Sequence, residues 1–365
     1  MDKLFSKIYG CEAAANIANA MGDLPEGKTY EEIEKLYGFV DKMMPQEKTA
    51  HVRKDQFGHD LVYHAHSRPP GMTEDGHERH RLVTNAILKK GGRINIMDLA
   101  QTWADDIKPE KFGYLLGPQD QVIYYAIKAG IPPWEVGRYA SWPGFIGTSK
   151  MILPIGCINA CNPEAAAADA HDLGRIKDAR GLRRNYALEV CAGLAAACAE
   201  ALKPDSTVDA VIKTALNCLS DNPRKEIEQH LEWAHKAKDW KELRPLFQEK
   251  YNRFPISDAV EVLGSGLALL YMARGNPKDA ILYSVNFGRD CDCRAYVAGG
   301  LAGALKGIEE VPADWVKIIE EQVVTDPYSV STKTAKAVAE GLYKAAMNTA
   351  NQYKEVTAMI DKLTS

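Results

Sequence analysis

Apolar residues recur at three- and four-residue intervals along most of the chain. YEEIEKLYGFVDKMM (30–44), RHRLVTNAILKK (79–90), DQVIYYAIKAG (120–130) and ADWVKIIEEQVV (313–324) each read as one amphipathic helix. The stops are helical in kind: Gly130 precedes Ile131-Pro132-Pro133, and Gly275-Asn276-Pro277 follows the apolar run GLALLYMAR. Strand-like alternation is scarce, so the pattern predicts an all-α fold. Three further helices are expected in the small-residue segments 162–174, 189–202 and 295–307. Gly299, Gly303 and Gly307 leave one face of the last almost bare, which predicts close packing against another helix. No Pro/Ser-rich linker and no regular repeat interrupts the chain, so residues 1–365 are expected to form a single domain.

Composition narrows the class without naming it. The chain has 365 residues, 46% hydrophobic and 26% charged, enough for a substantial core. A net charge of −4 gives no electrostatic case for nucleic acid or an anionic membrane as partner. The N-terminal apolar stretch is interrupted by Glu12, Asn16 and Asn19 and lacks the form of a signal peptide. No run long and apolar enough to span a membrane follows. Eight cysteines scattered over so long a chain read as reduced thiols, and a cytoplasmic protein is expected.

Two kinds of chemistry compete. His59, His64, His66, His77 and His80 fall within one short stretch, and His64 and His66 with Cys291 and Cys293 sketch a zinc site. Their spacing matches no established zinc pattern. Cys157 and Cys161, one helical turn apart, read as buried thiols. The carboxylates divide into two groups, Thr73-Glu74-Asp75 after a Pro-Pro-Gly turn and Asp290/Asp292 in NFGRDCDCRAYVAGG (286–300), each just before a predicted helix. The ordinary role of such carboxylates is capping. If the two loops meet, they supply hard oxygen ligands suited to Mg²⁺ or Mn²⁺ rather than zinc. Gly264-Ser265-Gly266 is no dinucleotide fingerprint, and neither a phosphate loop nor a nucleophile elbow is present.

GMTEDG (71–76) and GRDCDC (288–293) resemble the paired acidic motifs of the ADP-ribosylglycohydrolases, including the dinitrogenase reductase activating glycohydrolases. The segments GCEAAANIANAMG (10–22), PEGKTYEEIEKLYG (25–38), GIPPWEVG (130–137), MILPIGCINACNPEAAAADA (151–170) and AYVAGGLAGALKGIEEVPADW (295–315) resemble that family's other blocks in the same order. The resemblance implies a compact orthogonal helical bundle that gathers both acidic loops around one or two Mg²⁺ ions. It also implies a metal-dependent glycosidase that hydrolyses a ribosyl N- or O-glycosidic bond in an ADP-ribosylated protein or a ribosylated small molecule.

Carried over by position, the implied metal ligands are Thr73, Glu74, Asp75, Asp290, Asp292 and Cys293. Glu26, Asp75 and Asp292 are the implied catalytic carboxylates, with Glu26 and Asp75 activating water and Asp292 mainly a ligand. Asn19, Gly156 and Lys177 are the implied substrate-binding positions. The chain departs from the family pattern at four places: Glu74 for an aspartate, Ala18-Asn19 for Gly-Asp, Lys177 for a histidine, and Cys293 for a metal-binding threonine. A thiol is a soft donor, so Cys293 bears directly on whether one ion or two is held, and on Mg²⁺ against Mn²⁺. Two other readings stay open: a small nucleoside-type N-glycosidase, and a lapsed, crystallin-like member that binds a ligand or serves structurally. Oligomeric state is not fixed by the sequence.

Overall fold

Asp2 starts the first helix by accepting hydrogen bonds from the amides of Leu4 and Phe5, and α1 then runs Lys3–Gly22. The computed structural model describes residues 2–46, 51–54, 60–63, 68–112, 114–139, 142–179 and 185–364. After α1 come α2 (Tyr30–Tyr37), a two-stranded antiparallel hairpin of β1 (His51–Lys54) and β2 (Asp60–Tyr63), α3 (Asp75–Lys90) and α4 (Ile96–Asp106). The middle of the chain forms α5 (Pro118–Lys128), α6 (Pro133–Val136), α7 (Leu153–Ile158), α8 (Pro163–Gly174) and α9 (Ala187–Ala201). Then follow α10 (Val208–Asn217), α11 (Asp221–Lys236), α12 (Leu243–Tyr251), α13 (Ala259–Met272) and α14 (Pro277–Val285). The last elements are α15 (Cys291–Lys306), α16 (Ala313–Val323) and α17 (Ala335–Thr364). The all-α expectation therefore holds, with the short hairpin as its one strand element among the described residues.

The helix expected over 30–44 is cut at Tyr37. Gly38 turns the chain with φ +68°. Asn286, at the end of α14, then takes over the Val40 backbone, accepting from its amide (2.8 Å) and donating to its carbonyl (2.9 Å). Two tertiary hydrogen bonds outweigh the local helical pattern there. The buried-thiol reading also needs one correction: Cys157 is buried, but α7 ends at Ile158, and Cys161 lies exposed beyond it with φ +66°. All eight cysteines are free thiols.

The two most intimate neighbours are α1 and α15. The glycine face does what its pattern predicts. Gly303 meets the Gly10 backbone of α1, Gly299 packs on Ile281 of α14, and Gly307 reaches Ser6. Nearer the other end, Gly22 lies directly on the Asp292 backbone. The principal buried cluster wraps this pair, extending from Ile8 and Ile17 through Leu82, Leu153, Leu194 and Leu263 to Leu342.

This contact is tested at Gly303, where an added Cβ would overlap the Gly10 carbonyl, whereas Gly92 has open space around it. Overpacking in a tight core costs about 1–3 kcal/mol. Gly303→Val should lower the thermal midpoint clearly, and Gly92→Ala should leave it nearly unchanged. Equal midpoints in the two variants would show that α1 and α15 tolerate separation.

Candidate active site

Each acidic motif ends a loop by starting a helix. Glu74 caps α3, its Oε1 accepting from the Gly76 amide at 3.0 Å. Asp290 caps α15, its Oδ1 accepting from the Cys293 amide at 3.2 Å. The capping reading is thus correct for both, and it leaves the remaining oxygens pointing elsewhere. Asn19, fully buried on α1, ties the two loops together. Its Oδ1 accepts from the Glu74 amide (2.8 Å), while its Nδ2 donates to Glu74 Oε1 and, at 3.3 Å, to Asp292 Oδ2.

Lys150 enters the same centre from the 3-10 turn Ile146–Met151. Its Nζ donates to Glu74 Oε1 (2.5 Å) and to Asp292 Oδ2, and the side chain is almost wholly buried. Burial opposes the ammonium charge, but the neighbouring carboxyls Glu74, Asp75 and Asp290 hold its pKa above the ordinary lysine value. Burial also works against ionised Glu74, and here Lys150, Asp75 and Arg68 together outweigh it, so the Glu74 carboxyl stays well below its usual range.

Arg79 organises the other side. It donates to Asp75 Oδ2 (2.7 Å) and makes two bonds to Asp120, at 2.7 and 2.8 Å. Burial pushes the Asp75 carboxyl up to about 7, against the pull of Arg79 and with the push of Glu74. The half-buried Glu26 is raised well above the usual carboxylate range, first by burial and then by the charges of Asp290 and Glu74. Its loop is latched to the second motif: Gly27 donates to the Arg289 carbonyl (2.9 Å), and Arg289 donates back to that of Lys28 (2.7 Å).

These groups floor a cavity of about 630 Å³. Glu26, Asp75, Arg79, Lys150 and Cys293 line it on the polar side; Trp142, Phe145, Ile146 and Pro255–Ser257 line the rest. The Trp142 and Phe145 rings stack with centroids 6.1 Å apart and planes 14° from parallel.

Residues 1–352 match the ADP-ribosylglycohydrolase family. The chain belongs to that family. Family membership makes it a hydrolase of the glycosidase class. The fold is similar to that of an ADP-ribosylglycohydrolase-related protein complex of solved structure, at 17% identity and a TM-score of 0.64, over 95% of this chain and 100% of that one. No curated protein sequence matches the chain. No helix among the described residues is long and apolar enough to cross a membrane.

With the ADP-ribosylglycohydrolase pattern in hand, the fit of a hard cation is decided by the oxygens left over. Thr73 Oγ1, Asp290 Oδ2 and Asp292 Oδ1 are buried without a hydrogen-bond partner. Such groups are costly unless something electropositive meets them, and their oxygen chemistry suits Mg²⁺ or Mn²⁺. Asp290, Asp292 and Cys293 each offer a ligand atom within 4.8 Å of the others. Three of the six residues expected as ligands have one oxygen otherwise engaged, Glu74 and Asp292 by Lys150 and Asp75 by Arg79. Burial drives the Cys293 thiol well above its normal pKa, so it is a neutral, soft donor at neutral pH.

The zinc sketch loses its second thiol. Cys291 turns to the Pro25 carbonyl, 3.8 Å away, with its pKa pushed up to about 12 by burial. His59, His64 and His66 lie outside the described residues.

Of the three implied substrate positions, none lines the cavity. Asn19 is the clamp between the loops, and Gly156 lies in α7 where a Cβ would overlap Cys198 of α9. Lys177 is buried behind Gly147, 4.0 Å from Asp120. Lys150, Arg79, Asp120 and the Trp142–Phe145 pair escaped the sequence reading. TSKM and WPGF carry no spacing signal, since their meaning depends on loops brought together from far along the chain.

Lys177 gives a pH signature. Burial, followed by the charge of Arg79, lowers its pKa from 10.5 to about 7, although Asp120 pulls the other way. Across that window the unfolded chain holds a proton that the folded chain has released, so stability rises with pH. The gain should reach up to about 1.4 kcal/mol per pH unit and be absent in Lys177→Met. Urea unfolding of both proteins at about pH 8 and about pH 9.5 measures it. Parallel behaviour would mean that Lys177 stays charged.

Proposed function

We propose that the protein is a metal-dependent hydrolase that cleaves a ribosyl N- or O-glycosidic bond in an ADP-ribosylated or otherwise ribosylated substrate. The observation that carries this reading is the meeting of the two acidic loops under a cavity walled by stacked aromatics. A cavity of that size takes a nucleotide-like ligand, and a flat ring pair suits a base. One domain, residues 1–365, carries the whole site, and a cytoplasmic location agrees with the free thiols.

Thr73, Asp290 and Asp292 are the residues that would hold Mg²⁺, with Mn²⁺ as its substitute, because their free oxygens are buried and unpartnered. When bound, the ion supplies positive charge to orient ribose hydroxyls and to acidify water. The chain's own groups divide the proton work. Asp75, with a pKa of about 7 and one oxygen held by Arg79, is suited to take a proton from the attacking water. Glu26, its pKa raised well above the usual carboxylate range by burial and then by its carboxylate neighbours, is suited to give one to the leaving group. Positive charge developing at the anomeric carbon would face Asp292 and Asp290. Trp142 and Phe145 would hold the rest of the nucleotide by stacking.

The test is a Mg²⁺-dependent screen against ADP-ribosyl-arginine, ADP-ribosyl-serine, O-acetyl-ADP-ribose and simple nucleosides. Chelation should abolish turnover, and Asp75→Asn should cut kcat by about 10²–10⁴-fold. Full activity in Asp75→Asn, or after chelation, overturns the mechanism. Turnover confined to nucleosides selects the N-glycosidase reading, and silence across the panel selects the ligand-binding one.

A further inference from the structure

We propose that Lys150 is a resident cation of the acidic centre, its ammonium filling one of the positions that a divalent ion would otherwise take. The proposal rests on the metal-dependent reading only to the extent that this cluster holds cations; the chemistry of hydrolysis does not enter it. Three observations converge. First, Nζ bridges one oxygen from each motif, Glu74 Oε1 and Asp292 Oδ2, which is the contact a shared metal ion makes between two carboxylates. Buried carboxylates of this density require positive charge nearby, and Lys150 supplies it without water.

Second, the lysine has a built slot. A Cβ at position 76 would overlap the Cδ, Cε and Nζ of Lys150, so a larger residue at the start of α3 would displace the ammonium end from this place. Third, the protein's own cations reduce the oxygens left for metal. Lys150 and Arg79 each occupy one oxygen of the carboxylates they meet, Glu74 and Asp292 for the lysine and Asp75 for the arginine, and the motif oxygens buried without a partner are Thr73 Oγ1, Asp290 Oδ2 and Asp292 Oδ1. The thiol of Cys293, beside Asp292 and lining the same cavity, adds no hard ligand. A centre that already contains an ammonium has no need of one there.

Mn²⁺ binding to the full-length chain, counted by electron paramagnetic resonance after metal stripping, decides the matter. Lys150→Met should bind one more Mn²⁺ per chain than the wild type. Gly76→Ala keeps the lysine but closes its slot, and should show the same gain; circular dichroism identifies which variants fold, and the count is read on those. Two ions in the wild type, or no gain in the folded variants, overturns the proposal. A wild-type count of zero with one ion in the variants upholds Lys150 and instead overturns the metal-dependent reading above, so the two failures are distinguishable.

Discussion

The site depends on how closely α1 and α15 approach. Two helices separated by ordinary side chains lie about 8–10 Å apart; here Gly10 and Gly303 remove the side chains where the backbones meet, and Gly22 does the same against Asp292. That approach is what sets Asn19 beside Asp292, and Asn19 in turn holds Glu74.

Close approach creates an electrostatic problem that the rest of the centre answers. Glu74, Asp290 and Asp292 are all buried, and Asp75 and Glu26 stand next to them. Burial, and after it repulsion among them, raises the pKa of Glu26 and of Asp75, while Lys150 together with Asp75 and Arg68 holds that of Glu74 low against its burial. The outcome is a set of neighbouring carboxyls whose pKa values are pushed in opposite directions, the condition that the proposed division into an acid and a base requires.

Much of this was readable from residues, and the boundary falls where local pattern gives way to tertiary contact. The helices with strong three-four periodicity stand where the pattern puts them, α3, α5 and α16 among them. The bare face of α15 does pack against α1 and α14. The two acidic motifs are recognisable because capping places them in short, ordered blocks. Residues 39–44 escaped because Asn286, some 250 positions later in the chain, decides their conformation. Asn19 is expected from the resemblance as a substrate-binding position; in the structure its amide both donates and accepts, which a carboxylate in its place would not do between two acids. Lys150 was invisible for the same reason: a lysine in a buried turn has meaning only beside the carboxylates that neutralise it.

The latch between the Glu26 loop and the 288–289 turn has a mechanical consequence. Gly27 and Lys28 are bonded through their backbones to Arg289, and Arg289, in a left-handed conformation at φ +62°, immediately precedes the Asp290 cap. Arg289 is itself anchored by its guanidinium to Glu261 of α13. Glu26 therefore does not swing as an independent gate over the cavity. Any displacement of its backbone is geared to the first turn of α15, so a ligand that pushes on this loop also pulls on the Asp290 cap.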